Sequence, residues 1–332
     1  MSKRYQVVGI GNAMVDILSH IEDDFLSTNG VEKGIMQLID ANRAIELYGK
    51  MGPAKEISGG SAANTIAGLA QLRVSTAYVG KVRDDQLGDI FAHDIKAQGA
   101  DYDTPRATGD AHETGRCMVL VSPDGERSMN TYLGWSEFLT PADIDPAVMG
   151  DTDWIYLEGY RFDGPDSHEA FAKAIAACKA GGGRVSLTLS DPFCVERHRD
   201  AFRKMIQEDV DLLFANEHEI ESMYQTGALD TSMAAAAQEC DIVACTVGAK
   251  GAHILAGGEK HRAPADPVTI VDATGAGDLF ASGFLYGLTH GHDLLTCGKM
   301  GCAAAGEVIS HIGARPEDDL MKLFRKSGLV GA

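Results

Sequence analysis

The run Val271-Asp272-Ala273-Thr274-Gly275-Ala276-Gly277-Asp278-Leu279-Phe280 places a carboxylate directly behind a string of small residues. Helix-forming residues follow, through Ala281, Phe284 and Leu288. Small residues let a backbone turn come close to a charged ligand. If the turn opens a helix, the N–H groups of Gly275, Ala276 and Gly277 converge on one spot and the helix dipole adds to them, which makes an anion hole. Asp278, in the first helical turn, can take a proton from an alcohol while a transferring phosphoryl group is held beside it. The same placement favours an ionised Asp278. Taken alone, these residues are equally an acidic first turn behind a tight bend. Phe280 stands where a G-x-G-x-x-G dinucleotide fingerprint needs glycine, and no G-K-[ST] follows as in a Walker A loop. Gly9-x-Gly11 also lacks the third glycine, with Met14 in its place.

Elements of two kinds must position this turn. Tyr5 to Ile10, Thr76 to Val79, Trp154 to Leu157, Arg184 to Thr188, Leu212 to Ala215 and Ile242 to Thr246 are short β-rich runs. Helical stretches separate them, including Ser61 to Leu72 and the segment through Phe171 and Cys178. That alternation predicts βαβ units and a parallel sheet covered on both faces. Cys117 to Val121 and Arg127 to Tyr132 flank an Asp124-Gly125 turn and read as a hairpin. Asp16 to Leu38 shows no good helix. Two such excursions predict a small β lid, which would keep water from a reactive phosphoryl donor.

The 332 residues are 45% hydrophobic and 23% charged, so the chain can bury a large core as one large α/β domain with an insertion, or as two domains. A net charge of -19 repels nucleic acid and anionic lipid, so an anionic ligand needs a local positive field from amides, a helix end or a metal. The seven cysteines are odd in number and contain no CxxC pair, which points to a reducing cytoplasm. The start, MSKRYQVVGIGNAMVD, reads as strand and turn, not as a signal peptide. No stretch has the roughly 18 apolar residues of a membrane span. No Ser–His or Cys–His nucleophile is evident.

The string DATGAGDLFASGF resembles the second signature of the ribokinase-like (PfkB) carbohydrate kinase family. Ser58-Gly59-Gly60-Ser61-Ala62-Ala63-Asn64-Thr65-Ile66-Ala67, followed by AYVGKVRDDQLG, resembles the first, with Arg83 as a departure. The likeness runs from about residue 6 to about 315. It implies one ribokinase-like domain over 1–332, with a central, mostly parallel sheet flanked by helices. The small β lid would come from about 15–40 and 113–133. It implies Asp278 as catalytic base, Gly275, Ala276 and Gly277 as the anion hole, and Arg127 as a lid arginine facing the transferring phosphate, where the competing reading is a surface ion pair. Asn216-Glu217-His218-Glu219 resembles the family's N-x-x-E element. Asn216 and Glu219 would face the same way and suit Mg²⁺ held through water, or else form a helix cap and its capping-box partner. Thr246-Val247-Gly248-Ala249-Lys250-Gly251 resembles the nucleotide loop, with Thr246, Gly248, Gly251 and Thr274 toward ATP; Lys250 lies near a phosphate or is a solvated turn lysine. Gly301 to Ile312 resembles a wall of the adenine slot. A monovalent cation near Asp272 and Thr274 is a further implication.

For the acceptor, the resemblance implies that Asp16 grips sugar hydroxyls, with Asn12, Gly59, Gly60 and Asn64 beside it. A carboxylate can accept two hydroxyl hydrogen bonds, which suits a vicinal diol; the alternative is a turn acid. The G-N-x-x-x-D spacing, KGIMQL, PDGERSMNT and LEGY are similar to bacterial adenosine kinase-like members. Met36, Cys117, Leu133, Tyr160 and Phe162 are candidate purine walls, or simple packing. The expectation is transfer from Mg-ATP to the 5′-hydroxyl of adenosine. The alternatives are a kinase for ribose, fructose or a related ketose, and a non-catalytic nucleoside- or nucleotide-binding regulator. The oligomeric state stays open.

Overall fold

Strands that are apolar on both faces are stable only between two covering layers. In the computed structural model, which describes residues 3–331, thirteen strands divide between two sheets. In chain order they are β1 (Tyr5–Ile10), β2 (Met14–His20), β3 (Met36–Leu38), β4 (Lys55–Gly59), β5 (Thr76–Val79), β6 (Gly115–Val121), β7 (Arg127–Tyr132), β8 (Thr152–Glu158), β9 (Arg184–Thr188), β10 (Leu212–Asn216), β11 (Ile242–Thr246), β12 (Ala252–Ala256) and β13 (Glu259–Ala263).

The larger sheet runs β13-β12-β11-β10-β9-β8-β1-β5. It is parallel from β5 to β11, and helices cover both faces. One core holds Ile66, Phe280, Phe284 and Met300; the other holds Phe162, Phe171, Phe202 and Ile220. This is the α/β architecture the alternation predicts. One connection differs. After β11 comes a single 3-10 turn, Gly248–Lys250, and then the antiparallel pair β12-β13. Gly257 and Gly258 join that pair with φ of 57° and 83°, the left-handed turn of a tight hairpin.

The smaller sheet runs β3-β7-β6-β2-β4. Its β6-β7 hairpin turns at Asp124-Gly125, where Gly125 has φ 82° and the Ser122 N–H donates to the Glu126 carbonyl (2.9 Å). Strand β4 joins this sheet although it lies outside the ranges expected for the lid. The stretch 16–38, expected to lack a helix, contains the short helix Asp23–Thr28. Only Leu26 of that helix is buried, and six residues are too few for an apolar period to show. This helix and Ala41–Lys50 cover the outer face of the sheet over Ile17, Met118 and Leu120. The inner face presents Met14, Cys117, Met129 and Leu133 to the cavity beneath it. Among the described residues no helix is long and apolar enough to cross a membrane.

Candidate active site

A cavity of about 610 Å³ lies between the two sheets and collects residues from 12 to 280. The helix Ala276–Thr289 begins at its floor, preceded by Gly275 in the left-handed region (φ 79°). That conformation is open to glycine, and a Cβ there would also sit 2.9 Å from the backbone of Ala314. The Ala276 N–H is turned to the Ala273 carbonyl (3.3 Å). The N–H groups of Gly275, Gly277 and Asp278 have no protein partner among the described residues. The open donors of the turn are therefore Gly275, Gly277 and Asp278, with Ala276 partly engaged.

Asp278 is gripped from the helix Ser61–Gln71. Ser61 Oγ donates to Oδ1 (2.6 Å) and Asn64 Nδ2 donates to Oδ2 (3.0 Å). Thr65 Oγ1 donates to the Asp278 carbonyl (3.1 Å). Desolvation at the cavity floor raises the Asp278 pKa to about 6, against the two hydrogen bonds, which lower it. This corrects the expectation that the helix start keeps the acid low: the cover of the surrounding walls outweighs it.

Asp272, buried at the head of the same turn, accepts from the N–H groups of Thr274 (3.0 Å) and Gly313 (2.9 Å). It also forms an ion pair with Arg127 of β7, whose side chain is only 7% exposed. Arg127 is thus no surface ion pair: it clasps the β6-β7 hairpin to the turn before the helix Ala276–Thr289. A monovalent cation beside Asp272 has to share that carboxylate with the guanidinium.

Asp16 on β2 also lines the cavity. Desolvation raises its pKa to about 7, opposed by Arg315 and Arg127 and reinforced by Asp278 and Asp272. Gly59 does not line the cavity; it packs against the Asp16 carboxylate, where any Cβ would collide. Gly60 (φ 100°) lines it and leaves room for the Asn12 carbonyl oxygen. Asn12 is held twice. Its N–H donates to Glu158 Oε1 (3.2 Å), and its Oδ1 accepts from Arg161 Nη1 (3.1 Å). Glu158 Oε2 accepts from the Ala62 N–H (2.8 Å), so this acid ties the β1-β2 connection to the helix that holds Asp278. Burial raises the Glu158 pKa to about 7.

Toward β10 and β11, Asn216, Glu219 and Thr246 line the cavity. Asn216 donates to Glu219 from its N–H (2.9 Å) and its Nδ2 (2.6 Å), and its Oδ1 accepts from the Glu219 N–H (2.9 Å), which completes a capping box for the helix Glu217–Tyr224. Both Glu219 oxygens are therefore occupied. Among the described residues no cluster of three or more His, Cys, Asp or Glu is arranged to hold a metal. The pair fits a hydrated Mg²⁺ approached through water, not direct ligation. Gly248 and Gly251 lie in the turn after β11, outside the cavity wall. Met36, Cys117, Leu133 and Tyr160 are in the wall. Phe162 is not: it is core, stacked on Phe202 at 3.9 Å.

Sequence reasoning missed Ser61, Glu158 and Arg161 as contributors. Ser61 follows the Gly59-Gly60 pair at a helix start, a position that could have drawn notice; the other two show only through contacts across the fold.

Residues 36–320 match the pfkB family of carbohydrate kinases. The chain belongs to that family. This pfkB kinase is 47% identical to the probable sugar kinase protein from Rhizobium etli CFN 42, covering 99% of this chain and 100% of that one with a TM-score of 0.94. It is 45% identical to the adenosine kinase from Sinorhizobium meliloti, over 98% and 99% of the two chains, with a TM-score of 0.93. A 5-dehydro-2-deoxygluconokinase of Shouchella clausii is 27% identical over 93% of this chain and 90% of that protein. The chain is therefore a phosphotransferase, a sugar or nucleoside kinase of the pfkB family.

Proposed function

We propose that this kinase moves the γ-phosphoryl group of ATP to the 5′-hydroxyl of a nucleoside, adenosine giving AMP, with Asp278 as general base. The observation that carries the acceptor is the pairing of two unlike walls. Asp16 stands in the same cavity as a sulfur-rich apolar face of Met14, Met36, Cys117, Met129 and Leu133. A vicinal diol fits the carboxylate, and only an acceptor with a flat apolar ring gains from covering the other wall. Similarity to the Sinorhizobium meliloti enzyme supports the same reading.

In this account Asp16 accepts hydrogen bonds from two ribose hydroxyls, and the Asn12 and Gly60 backbone shapes the site around them. The 5′-hydroxyl faces Asp278, whose carboxylate Ser61 and Asn64 hold toward it. The free N–H groups of Gly275, Gly277 and Asp278 surround the migrating phosphoryl group, with Ala276 completing the turn. Arg127 adds positive charge from the lid side. The ATP runs toward Thr246 and Asn216. Mg²⁺, met through water by Asn216 and Glu219, would supply charge neutralisation of the phosphates. Closure of the lid over the acceptor excludes water, so that transfer outcompetes hydrolysis. The seven cysteines, all buried and free, suit the cytoplasm.

The second reading, a sugar kinase, is favoured by the Rhizobium etli relative. The test is product analysis with purified protein and Mg-ATP against adenosine, other nucleosides, ribose and fructose. Adenosine-dependent AMP and ADP in equal amounts are expected. Turnover with ribose or fructose but none with adenosine overturns the acceptor. A nucleoside-binding regulator would bind without transferring, yet Asp278 and its open N–H groups are intact.

A further inference from the structure

The segment between helices Leu294–Val308 and Leu320–Lys326 has no regular structure, yet it is tied to the phosphate turn step by step. The Val271 N–H donates to the Ile309 carbonyl (2.8 Å). Gly313 donates to Asp272, and Ala314 backs Gly275. The next residue is Arg315. Its Nε donates to Asn64 Oδ1 (3.4 Å), while Nδ2 of the same amide donates to Asp278 (3.0 Å).

An asparagine amide has one acceptor end and one donor end. Turned end for end, Asn64 would set its oxygen against the Asp278 carboxylate and its NH₂ against the guanidinium, two repulsive contacts. Arg315 thus holds the acceptor end of the amide while Asp278 holds the donor end, and the two together fix its direction. Arg315 does not line the cavity, and its Nη2 is sealed from solvent with no partner among the described residues. Such a guanidinium is costly to bury, and it forms no ion pair of its own among the described residues. The acids whose charge acts on it are Asp94 and Asp16. The charged groups around Asp16 are Arg315, Arg127 of β7, Asp278 and Asp272, with the Cys117 thiol of β6 also facing it.

We propose that Arg315 is a positioning residue for phosphoryl transfer, orienting Asn64 toward the Asp278 carboxylate. The proposal rests on Asp278 being the base.

The test uses the full chain, Mg-ATP and whichever acceptor the product analysis identifies. Arg315→Met is expected to lower kcat by about 10-fold or more, the order of one lost charge-assisted contact. It should raise KM for the acceptor, leave KM for ATP unchanged and move the acid limb of kcat/KM to higher pH, because Asp16 loses one of its two nearby cations while Arg127 stays. Arg315→Lys keeps the charge and should return that limb to its wild-type position. If the Met variant does not fold, Arg315→Gln, which keeps a donor without the charge, should shift the limb while retaining most of kcat. In an Asn64→Ala background the further effect of Arg315→Met on kcat should shrink to about 2-fold or less, since both act through one amide. Wild-type kinetics and an unmoved limb in the Met or Gln variant overturn the proposal, as does full multiplication of the two losses. A wild-type rate indifferent to Asp278→Asn refutes the base reading instead; a base-dependent rate with silent Arg315 variants refutes this inference alone.

Discussion

Replacing Asp16 by asparagine should make the ligand-free protein more stable at pH 8 and should flatten its dependence on pH. Asp16 has its pKa raised from 3.8 to about 7, chiefly by desolvation. The folded protein then holds this proton more tightly than the unfolded chain does. Stability is complete below the unfolded pKa near 3.8, declines as pH rises, and the decline ends above about 7. Between pH 6 and pH 8 one such carboxyl changes stability by roughly 1 kcal/mol, favouring the lower pH. The distance from 3.8 to about 7 sets an upper bound of roughly 4 kcal/mol on the gain from Asp16→Asn at pH 8. Urea unfolding of both proteins at pH 6 and pH 8 reads this directly, and histidines common to both cancel in the comparison. Identical pH dependence of the two proteins, or a variant less stable at pH 8, would refute the claim that Asp16 is held at a cost to the fold. Activity should be lost in the same variant, since the amide cannot accept two hydroxyl hydrogen bonds on equal terms.

Arg127→Met leaves Asp272 buried without its cation, and urea unfolding should show a loss of about 3 kcal/mol, the usual order for breaking a buried pair from one side. Arg127→Met combined with Asp272→Asn should recover part of that loss; a single-variant loss under about 1 kcal/mol would show that the pair does not hold the lid to the turn. Gly275→Ala forces a side chain into a φ of 79° against the Ala314 backbone. It should cost about 2 kcal/mol of stability and weaken ATP binding measured by calorimetry.

The local part of the site was legible because its chemistry is contiguous. Gly275 to Asp278 is bend, helix start and acid in four residues, and the structure places the helix and its open amides there. The central strands were legible because two-sided burial makes unbroken apolar runs, as in Ile242–Thr246. The partners of the acid were not, because Ser61 and Asp278 are 217 positions apart and no local period encodes their meeting. Glu158 and Arg161 carry no local sign of their part; it shows only once Asn12 and Ala62 are seen on Glu158 and Arg161 on Asn12. The hairpin β12-β13 escaped because β13, Glu-Lys-His-Arg-Ala, is a polar edge strand with one buried residue. Phe162 was misplaced for the opposite reason: an aromatic next to a cavity residue looks the same in sequence whether it faces the cavity or the core. The direction of the Asp278 shift was misjudged because the lid and walls that desolvate it are distant in sequence.

The most direct measurement of the central claim is single-turnover phosphoryl transfer by Asp278→Asn, with ATP and acceptor binding followed by calorimetry on the same protein. Loss of the base should slow transfer by about 100-fold or more while both ligands still bind within a few-fold of wild type. Transfer at close to the wild-type rate would mean that another group takes the proton, and the assignment of Asp278 would be wrong.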